Sequence, residues 1–215
     1  MKLFSVFILF TALGACSQIQ NTKKHIPDPK ARILYDSAVT LAMQSANNYI
    51  KAISLLDQAT QIDSNYSLAF SIKLSFQFSL NRLNDALITA KNLIRINPNN
   101  PESYVMTGGI YWKLEDSVSS IDHFTKAAVL FDKILDTMST SNKTYETVLM
   151  NKAVNLILLD QQEKGNKILN ELYSKQKDEA EKDMFRLFLN KSKNQILNDL
   201  FMIDSDVTQA ESIKN

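Results

Sequence analysis

The stretch INPNNPESYVMTGGIYWKLED, residues 96–116, decides how the rest of this chain is interpreted. Its prolines end one helical pattern and open the next, because proline is tolerated only in the first turn of a helix. A glycine pair, Gly108 and Gly109, then lies inside the second pattern, between Tyr104 and Trp112. Glycine costs stability in a helix interior, so its presence there requires a structural reason.

The composition favours an all-α fold with few loops. Of the 215 residues, 45% are hydrophobic, and only 4 are glycine and 4 are proline, which leaves little material for β-turns. Lys and Arg together number 24, and Asp and Glu number 23. Nucleic-acid binding requires a basic surface that neutralises phosphates, so we expect no nucleic-acid partner.

A repeat of about 34 residues runs through the chain. In the frame that opens at Pro101, aromatic and small residues occupy positions 4, 8, 11, 20, 24 and 27: Tyr104, Gly108, Tyr111, Ser120, Phe124 and Ala127. These residues resemble the tetratricopeptide repeat (TPR), a helix-turn-helix unit with the pattern W-x2-L-G-x2-Y and then A-x3-F. In that family, helix A packs closely against helix B at position 8, which explains Gly108.

Three further frames follow the same pattern. Those that open at Ser67 and Glu146 place seam residues at positions 8 and 20: Leu74 and Ala86 in one, Ala153 and Gly165 in the other. The first frame, from residue 31, fits only if the turn around QSANN, residues 44–48, holds two extra residues. The connection DTMSTSNKT, residues 136–144, is longer than the repeat requires and predicts that helix B of the third repeat overruns. The resemblance implies an all-α fold, an α-solenoid of about four TPR repeats.

Residues 178–201 are interpreted as one more helix, with a broad apolar face that includes Phe185 and Phe188. A solenoid leaves its last repeat uncovered, so this segment is predicted to be a C-terminal capping helix. The predicted TPR domain with its cap therefore covers residues 31–201. The polar residues 202–215 are expected to form a disordered tail.

The first 15 residues, MKLFSVFILFTALGA, combine Lys2 with an apolar run that is too short to span a bilayer and is typical of a secretory signal. The only cysteine of the chain, Cys16, follows at once, and LGAC, residues 13–16, resembles the bacterial lipobox. The resemblance implies a lipoprotein signal peptide at residues 1–15. It also implies a lipidated Cys16 that begins a flexible spacer, residues 16–30, and a membrane attachment through this N-terminal lipid. An ordinary signal peptide is the alternative.

Ser17, which follows the cysteine, resembles the signal for outer-membrane delivery in Gram-negative systems. The following residues lack the acidic cluster that resembles a surface-export tag. We therefore expect a lipid-anchored protein at the outer membrane that faces the periplasm.

The parts of a catalytic centre are missing from the sequence. Its only histidines are His25, in the predicted spacer, and His123, on the outer side of a helix B. No metal or nucleophile spacing can be built from these two residues. We predict that the protein is not an enzyme and binds no metal and no cofactor.

TPR arrays bind protein segments on the concave surface that helix A lines, at positions 2, 5, 9, 12 and 13 of each repeat. Carried over to this chain, those positions predict a partner-binding groove formed by Tyr35, Val39, Met43, Phe78, Val105, Gly109, Trp112, Lys113 and Met150. The groove is apolar and aromatic, so the Lys and Asn carboxylate clamp of co-chaperone members is not expected. It suits an apolar or amphipathic segment, with Trp112 and Phe78 as anchors. Some of these positions can equally be core residues that the C-terminal helix covers.

The leading hypothesis is a membrane-anchored scaffold that holds a protein partner in the cell envelope. A self-associating structural spacer, dimeric through the face around Phe185 and Phe188, is the alternative. A glycan-binding or small-molecule-binding lipoprotein is disfavoured, because the predicted groove offers few polar donors.

Overall fold

The computed structural model describes residues 25–200, so the predicted leader, Cys16 and the tail at residues 202–215 lie outside it. The described residues contain ten α-helices and one short 3-10 helix. In chain order the α-helices are α1 (Pro29–Gln44), α2 (Tyr49–Ile62), α3 (Ser67–Ser79), α4 (Leu83–Ile96), α5 (Pro101–Lys113), α6 (Ser117–Thr137), α7 (Tyr145–Leu158), α8 (Gln162–Lys175), α9 (Glu179–Arg186) and α10 (Lys193–Leu200). The predicted all-α class, built from helical pairs in the manner of an α-solenoid, is confirmed.

The chain divides into two compact units. The N-terminal unit comprises the described residues up to Ser120, and the C-terminal unit comprises those from Ile121 onward. In the N-terminal unit, α1 packs against α2, α2 against α3, α3 against α4, and α4 against α5. In the C-terminal unit, α7 packs against α8, α8 against α9, and α10 against α7.

Three of the helix-helix turns share one backbone geometry. Each turn holds three residues, and the middle one is left-handed: Asn81, Glu115 and Asp160, with φ of 53°, 62° and 61°. The next residue donates its backbone N–H to a carbonyl five residues earlier: Arg82 to Gln77 at 2.8 Å, Asp116 to Tyr111 at 2.9 Å and Gln161 to Leu156 at 2.9 Å. This is a Schellman-type helix end. Because it recurs at the same position of three predicted frames, the sequence repeat is also a structural repeat.

The first pair, α1 and α2, differs as predicted. Helix α2 begins two positions later in its frame than α4, α6 and α8 do in theirs. The extra residues form a 3-10 turn, Ala46–Asn48, in which the Asn48 side chain donates to the Leu41 carbonyl at 3.0 Å. The predicted overrun of the third helix B is confirmed as well, since α6 has 21 residues.

Small residues fill the contacts between helices. In the N-terminal unit, α1, α2 and α3 meet around four fully buried alanines: Ala38, Ala52, Ala59 and Ala69. In the C-terminal unit, Gly165 of α8 faces α7 so closely that a Cβ atom on it would lie 2.6 Å from the Ala153 carbonyl oxygen. Positions 8 and 20 of the predicted frame are therefore in contact in this repeat. Gly108 and Gly109 are both buried.

The C-terminal cap is two short helices, not the single helix predicted for residues 178–201. Asn190, with φ of 60°, lies between α9 and α10. The break coincides with a capping box, in which the Ser192 side chain accepts from the Gln195 N–H and the Gln195 side chain accepts from the Ser192 N–H. Sequence reasoning missed this Ser-x-x-Gln signal because the apolar periodicity continues through it.

The aromatic residues of the cap are buried and do not lie on the surface. Phe185 and Phe188 are only 1% and 8% exposed. The self-association face predicted around these two residues is therefore wrong. Arg186, next to them, lies 5.4 Å from the Tyr173 ring centroid and bonds the Tyr173 hydroxyl at 2.9 Å, which attaches α9 to α8.

The contact at Gly165 gives the first prediction. Gly165→Ala should lower the free energy of unfolding by about 1–2 kcal/mol, because overpacking against a backbone carbonyl costs more than the roughly 1 kcal/mol that alanine gains in helix propensity. Urea denaturation measures this difference. Lys167→Ala, at an exposed position of the same helix, should change stability by less than about 0.5 kcal/mol. A more stable Gly165→Ala protein would show that the two helices are not in close contact here.

Candidate functional site

The candidate site is the helix-A face of the N-terminal unit, a surface formed by Tyr35, Val39 and Met43 of α1 with Leu68 and Phe78 of α3. The α1 residues are spaced four apart and form one row along the helix. Met43 is 84% exposed and Leu68 is 49% exposed. Tyr35, Val39 and Phe78 are half-buried, so they offer part of each side chain to a partner.

A shared core places the α1 row beside the start of α3. Ala31 and Ala38 of α1 pack in one cluster with Ala69 of α3 and with Tyr66, which directly precedes α3. The rings of Tyr35 and Tyr66 lie 5.3 Å apart, with their planes inclined at 48°. This tilted aromatic contact stabilises the edge of the face nearest the α2–α3 turn.

The tyrosines at this edge are neutral. Burial raises the pKa of Tyr35, and the neighbouring Tyr66 and Asp36 raise it further. Burial also raises the pKa of Tyr66. Both phenols therefore stay protonated at physiological pH, and the face presents aromatic surface without charge.

Further contacts hold α3 on α2. The Tyr49 ring stacks on the Phe76 ring, with centroids 4.7 Å apart. The Lys73 ammonium lies 2.5 Å from the Asp57 carboxylate. These contacts hold α3 in a fixed position on α2, so the partly exposed apolar residues of α3 belong to a well-packed helix.

Two serines of α3, Ser71 and Ser79, offer little to a polar ligand. The hydroxyls of Ser71 and Ser79 each donate to a carbonyl four residues earlier, at 3.0 and 3.1 Å. A donor already bonded to its own helix gains little from a new acceptor. The face therefore remains mainly apolar, as the sequence predicted.

The predicted groove does not continue along α5 and α7. Val105 is 4% exposed and Met150 is 1% exposed, and Gly109 is buried. These three residues are therefore core residues, and their assignment to a partner-binding surface is corrected. Trp112 and Lys113, at the end of α5, are half-buried.

The burial of the predicted groove residues of α7 has a structural cause. This helix has α8 and α10 packed against it, and its buried residues cover more than half of its circumference. At position 13 of the frame, Met43 of α1 is 84% exposed whereas Leu158 of α7 is fully buried. Helix α10 contacts α7, and the predicted groove positions of α7 are core residues.

A second feature of the N-terminal unit is a clasp around Asp63, at the end of α2. The His25 Nε2 atom lies 2.9 and 2.8 Å from the two Asp63 carboxylate oxygens. The backbone N–H groups of Asp28 and Asn65 donate to the same carboxylate at 3.0 and 3.1 Å. Helix α1 then begins at Pro29, with the Asp28 side chain as its N-cap.

The clasp corrects the predicted domain boundary. The sequence predicts a flexible spacer up to residue 30, but His25 and Asp28 are bonded to Asp63, and Pro29 and Lys30 are already helical. The sequence gives no cue for this contact, because it joins a carboxylate to residues 35 and 38 positions away. Residues 16–24 lie outside the described part of the chain.

The electrostatics of Asp63 follow from these contacts. Burial raises the pKa of Asp63, but the Asp28 N–H, the His25 ring and the Asn65 N–H lower it by more, so the net pKa is depressed. In the unfolded chain the pKa of an Asp carboxyl is roughly 4. Because the pKa of Asp63 is lower in the folded state, its charged form stabilises the fold at pH values above about 4. This stabilisation is lost as the pH falls through the folded-state pKa.

Other chemistry in the described residues is sparse. His123 Nδ1 lies 3.7 Å from an Asp122 carboxylate oxygen. Residues 25–200 contain no group of three or more His, Cys, Asp or Glu side chains placed to hold a metal ion. Within the same range, no helix combines the length and the apolar character that crossing a membrane requires.

Comparisons with known proteins give only distant likenesses. No protein-family model and no curated protein matches the sequence. Among solved structures, the chain is similar to a MamA RS-1 ArsTM double mutant, at 15% identity over 79% of this chain and 84% of that chain, with a TM-score of 0.49. It is also similar to MamA 41-end from Desulfovibrio magneticus RS-1, at 14% identity over 80% and 88% of the two chains, with a TM-score of 0.47. Because these TM-scores are below 0.5, the fold assignment rests on the helical pairs and turns described above.

The Asp63 clasp predicts a pH dependence. Asp63→Asn should destabilise the protein by about 1–2 kcal/mol at pH 5, where the wild-type carboxylate is charged and bonded. The difference should shrink as the pH falls below about 4, because protonation of the wild-type carboxylate then leaves both proteins with a neutral side chain. Chemical denaturation across this pH range measures it. Asp36→Asn is the control, since Asp36 is 63% exposed and lies 3.9 Å from Arg32. If the free energy of unfolding of wild type and Asp63→Asn depended on pH in the same way, the result would contradict the clasp.

Proposed function

We propose that this protein is a lipid-anchored scaffold of the bacterial cell envelope, which binds an apolar or amphipathic segment of a partner protein on the helix-A face of its N-terminal unit. The observation that carries the proposal is the exposure of Met43 and Leu68 on a face whose other members are only half-buried. Exposed apolar residues are ordinary when they are scattered singly. Here they occur on two helices that share one core cluster.

The face has the chemistry of a helix-binding or strand-binding surface. Fully burying a side chain such as Met43 or Leu68 contributes about 1.5–3 kcal/mol, so two or three such contacts can support a specific complex. The row from Tyr35 to Met43 spans eight residue steps of helix, about 12 Å, which matches roughly two turns of an amphipathic partner helix. The uncharged tyrosines favour an apolar segment over a charged one.

The membrane anchor is supported by the sequence alone. The lipobox-like LGAC, residues 13–16, favours lipidation at Cys16, and Ser17 favours delivery to the outer membrane with the domain facing the periplasm. Under this proposal, residues 17–24 connect the lipidated Cys16 to His25, the first residue that the structure describes.

Crosslinking from within the face tests the binding site. A photoreactive residue replaces Met43 in the native envelope, and the adducts are identified by mass spectrometry. We expect one dominant envelope protein. The matched control is Ile88 of α4, which is 63% exposed but belongs to a helix B. The same replacement there should not capture that protein.

Two results would contradict the assignment. Equal capture from Met43 and Ile88 would mean that the helix-A face is not the binding site. Adducts of the chain with itself alone would favour the self-associating spacer over the scaffold.

A further inference from the structure

We propose that α1 is a detachable helix, which leaves the N-terminal unit as one piece and which the Asp63 clasp holds in the docked position that completes the helix-A face. The face takes Tyr35, Val39 and Met43 from α1, so most of it exists only while α1 is docked. The inference deepens the proposed function, because it assigns a regulation to the same binding face. Its regulatory meaning rests on that function, whereas the detachment itself follows from the described contacts.

Helix α1 is covered less than the next helix A. It packs mainly against α2, whereas α3 packs against both α2 and α4. Positions 3, 7 and 10 of the frame are exposed on α1: Ile33, Ser37 and Thr40. The same positions of α3, which α2 covers, are buried or half-buried: Ala69, Lys73 and Phe76. The outer side of α1 therefore contributes nothing to its attachment.

The buried residues of α1 are small. Ala31 and Ala38 are the two buried residues of this helix, whereas α3 also buries Phe70 and Leu74. The apolar residues of α1 that border the core, such as Leu34, are half-buried. Apolar burial contributes in proportion to the area removed from water. Side-chain burial therefore holds α1 more weakly than it holds α3.

Hydrogen bonds at both ends of α1 supply the rest of its attachment. At the N-terminal end, the Asp63 carboxylate accepts the Asp28 N–H at 3.0 Å and lies 2.8 Å from the His25 ring nitrogen. At the C-terminal end, the Asn48 side chain donates to the Leu41 carbonyl at 3.0 Å. Hydrogen bonds to a charged group are stronger than those between neutral groups. The clasp is therefore the stronger of the two fastenings.

The remainder of the N-terminal unit keeps its own packing when α1 leaves. Helix α2 is held on α3 by the stacked rings of Tyr49 and Phe76 and by the ion pair between Asp57 and Lys73. Neither contact involves α1. Helix α3 packs in turn against α4, and α4 against α5. In a solenoid each repeat contacts only its neighbours, so a helix at the end of the array can open locally.

The clasp is linked to the helix-A face through Tyr66. The Asp63 carbonyl accepts the Tyr66 N–H at 3.1 Å, and the Tyr66 ring lies 5.3 Å from the Tyr35 ring. Detachment of α1 breaks this ring contact and leaves only Leu68 and Phe78 on the face. A partner that requires the complete face binds the docked form alone, so its apparent affinity falls with the docked fraction.

The clasp also lies where the proposed lipid tether joins the domain. Under the proposed function, the chain from the lipidated Cys16 reaches the domain at His25, which is itself a member of the clasp. The segment that connects the domain to the membrane is therefore also the segment that holds α1 in place. Docking of α1, and with it the partner face, depends on how this segment is held.

Hydrogen–deuterium exchange with mass spectrometry tests the inference without a partner or a lipid. The protein used is the chain from residue 16 onward with Cys16→Ser, which keeps every described residue. The amides of residues 33–44 in α1 should exchange at least about tenfold faster than those of α2 and α7, because detachment of one helix requires less free energy than opening of the whole unit.

Variants test the role of the clasp. His25→Ala removes one partner of the Asp63 carboxylate and should speed the exchange of residues 33–44 by a further factor of about ten, while α7 stays within about twofold of the parent. The matched control is His123→Ala, at the only other histidine, on α6. It should leave the exchange of α1 within about twofold of the parent. Circular dichroism confirms that each variant is folded.

The outcomes separate this inference from the proposed function. Equal protection of α1 and α2 in the parent chain would overturn the detachment, and α1 rates that His25→Ala does not change would overturn the role of the clasp. Equal acceleration of α1 to α5 would show that the unit opens as a whole, which contradicts a detachable helix. Failure of Met43 to capture one partner would instead remove the proposed function and leave the exchange rates unaltered.

Discussion

The close approach of paired helices is the constraint on which the rest of the structure depends. Where α7 meets α8, Gly165 faces the Ala153 carbonyl at a distance that leaves no room for a Cβ atom. In the N-terminal unit, fully buried alanines occupy the contacts among α1, α2 and α3. Small residues at these positions let backbones approach, and the larger residues around them, such as Leu56 and Leu169, fill the remaining core. Without the small residues, the helical pairs could not form at this spacing.

The turns between paired helices repeat one backbone geometry along the chain. Three of them place a left-handed residue between the helices and close the helix end with the same backbone hydrogen bonds. The residues that adopt this conformation are Asn81, Glu115 and Asp160. Because none of them is glycine, the strongest sequence signal for a left-handed turn is missing. The seam residues therefore predicted the repeat, whereas the turn geometry that fixes it became visible only in the structure.

The sequence predicted side-chain positions better than it predicted their exposure. Tyr35, Val39 and Met43 do form a row on an accessible face, because helical periodicity alone places them there. Val105 and Met150 occupy equivalent positions but are buried. Exposure depends on which elements pack over a helix, a property of distant parts of the chain. The cap itself was predicted as one helix, and the capping box at Ser192 divides it into two.

The central claim is that equivalent helix-A positions are open on α1 and closed on α7. Cysteine labelling tests it most directly, since Cys16→Ser leaves no other thiol in the chain. Met43→Cys and Leu158→Cys place a single thiol at position 13 of the first and fourth frames. With a maleimide under native conditions, we expect Met43→Cys to react as fast as the denatured protein, and Leu158→Cys to react at least roughly a hundredfold more slowly, because its labelling requires local opening. Equal rates in two folded variants would contradict the account.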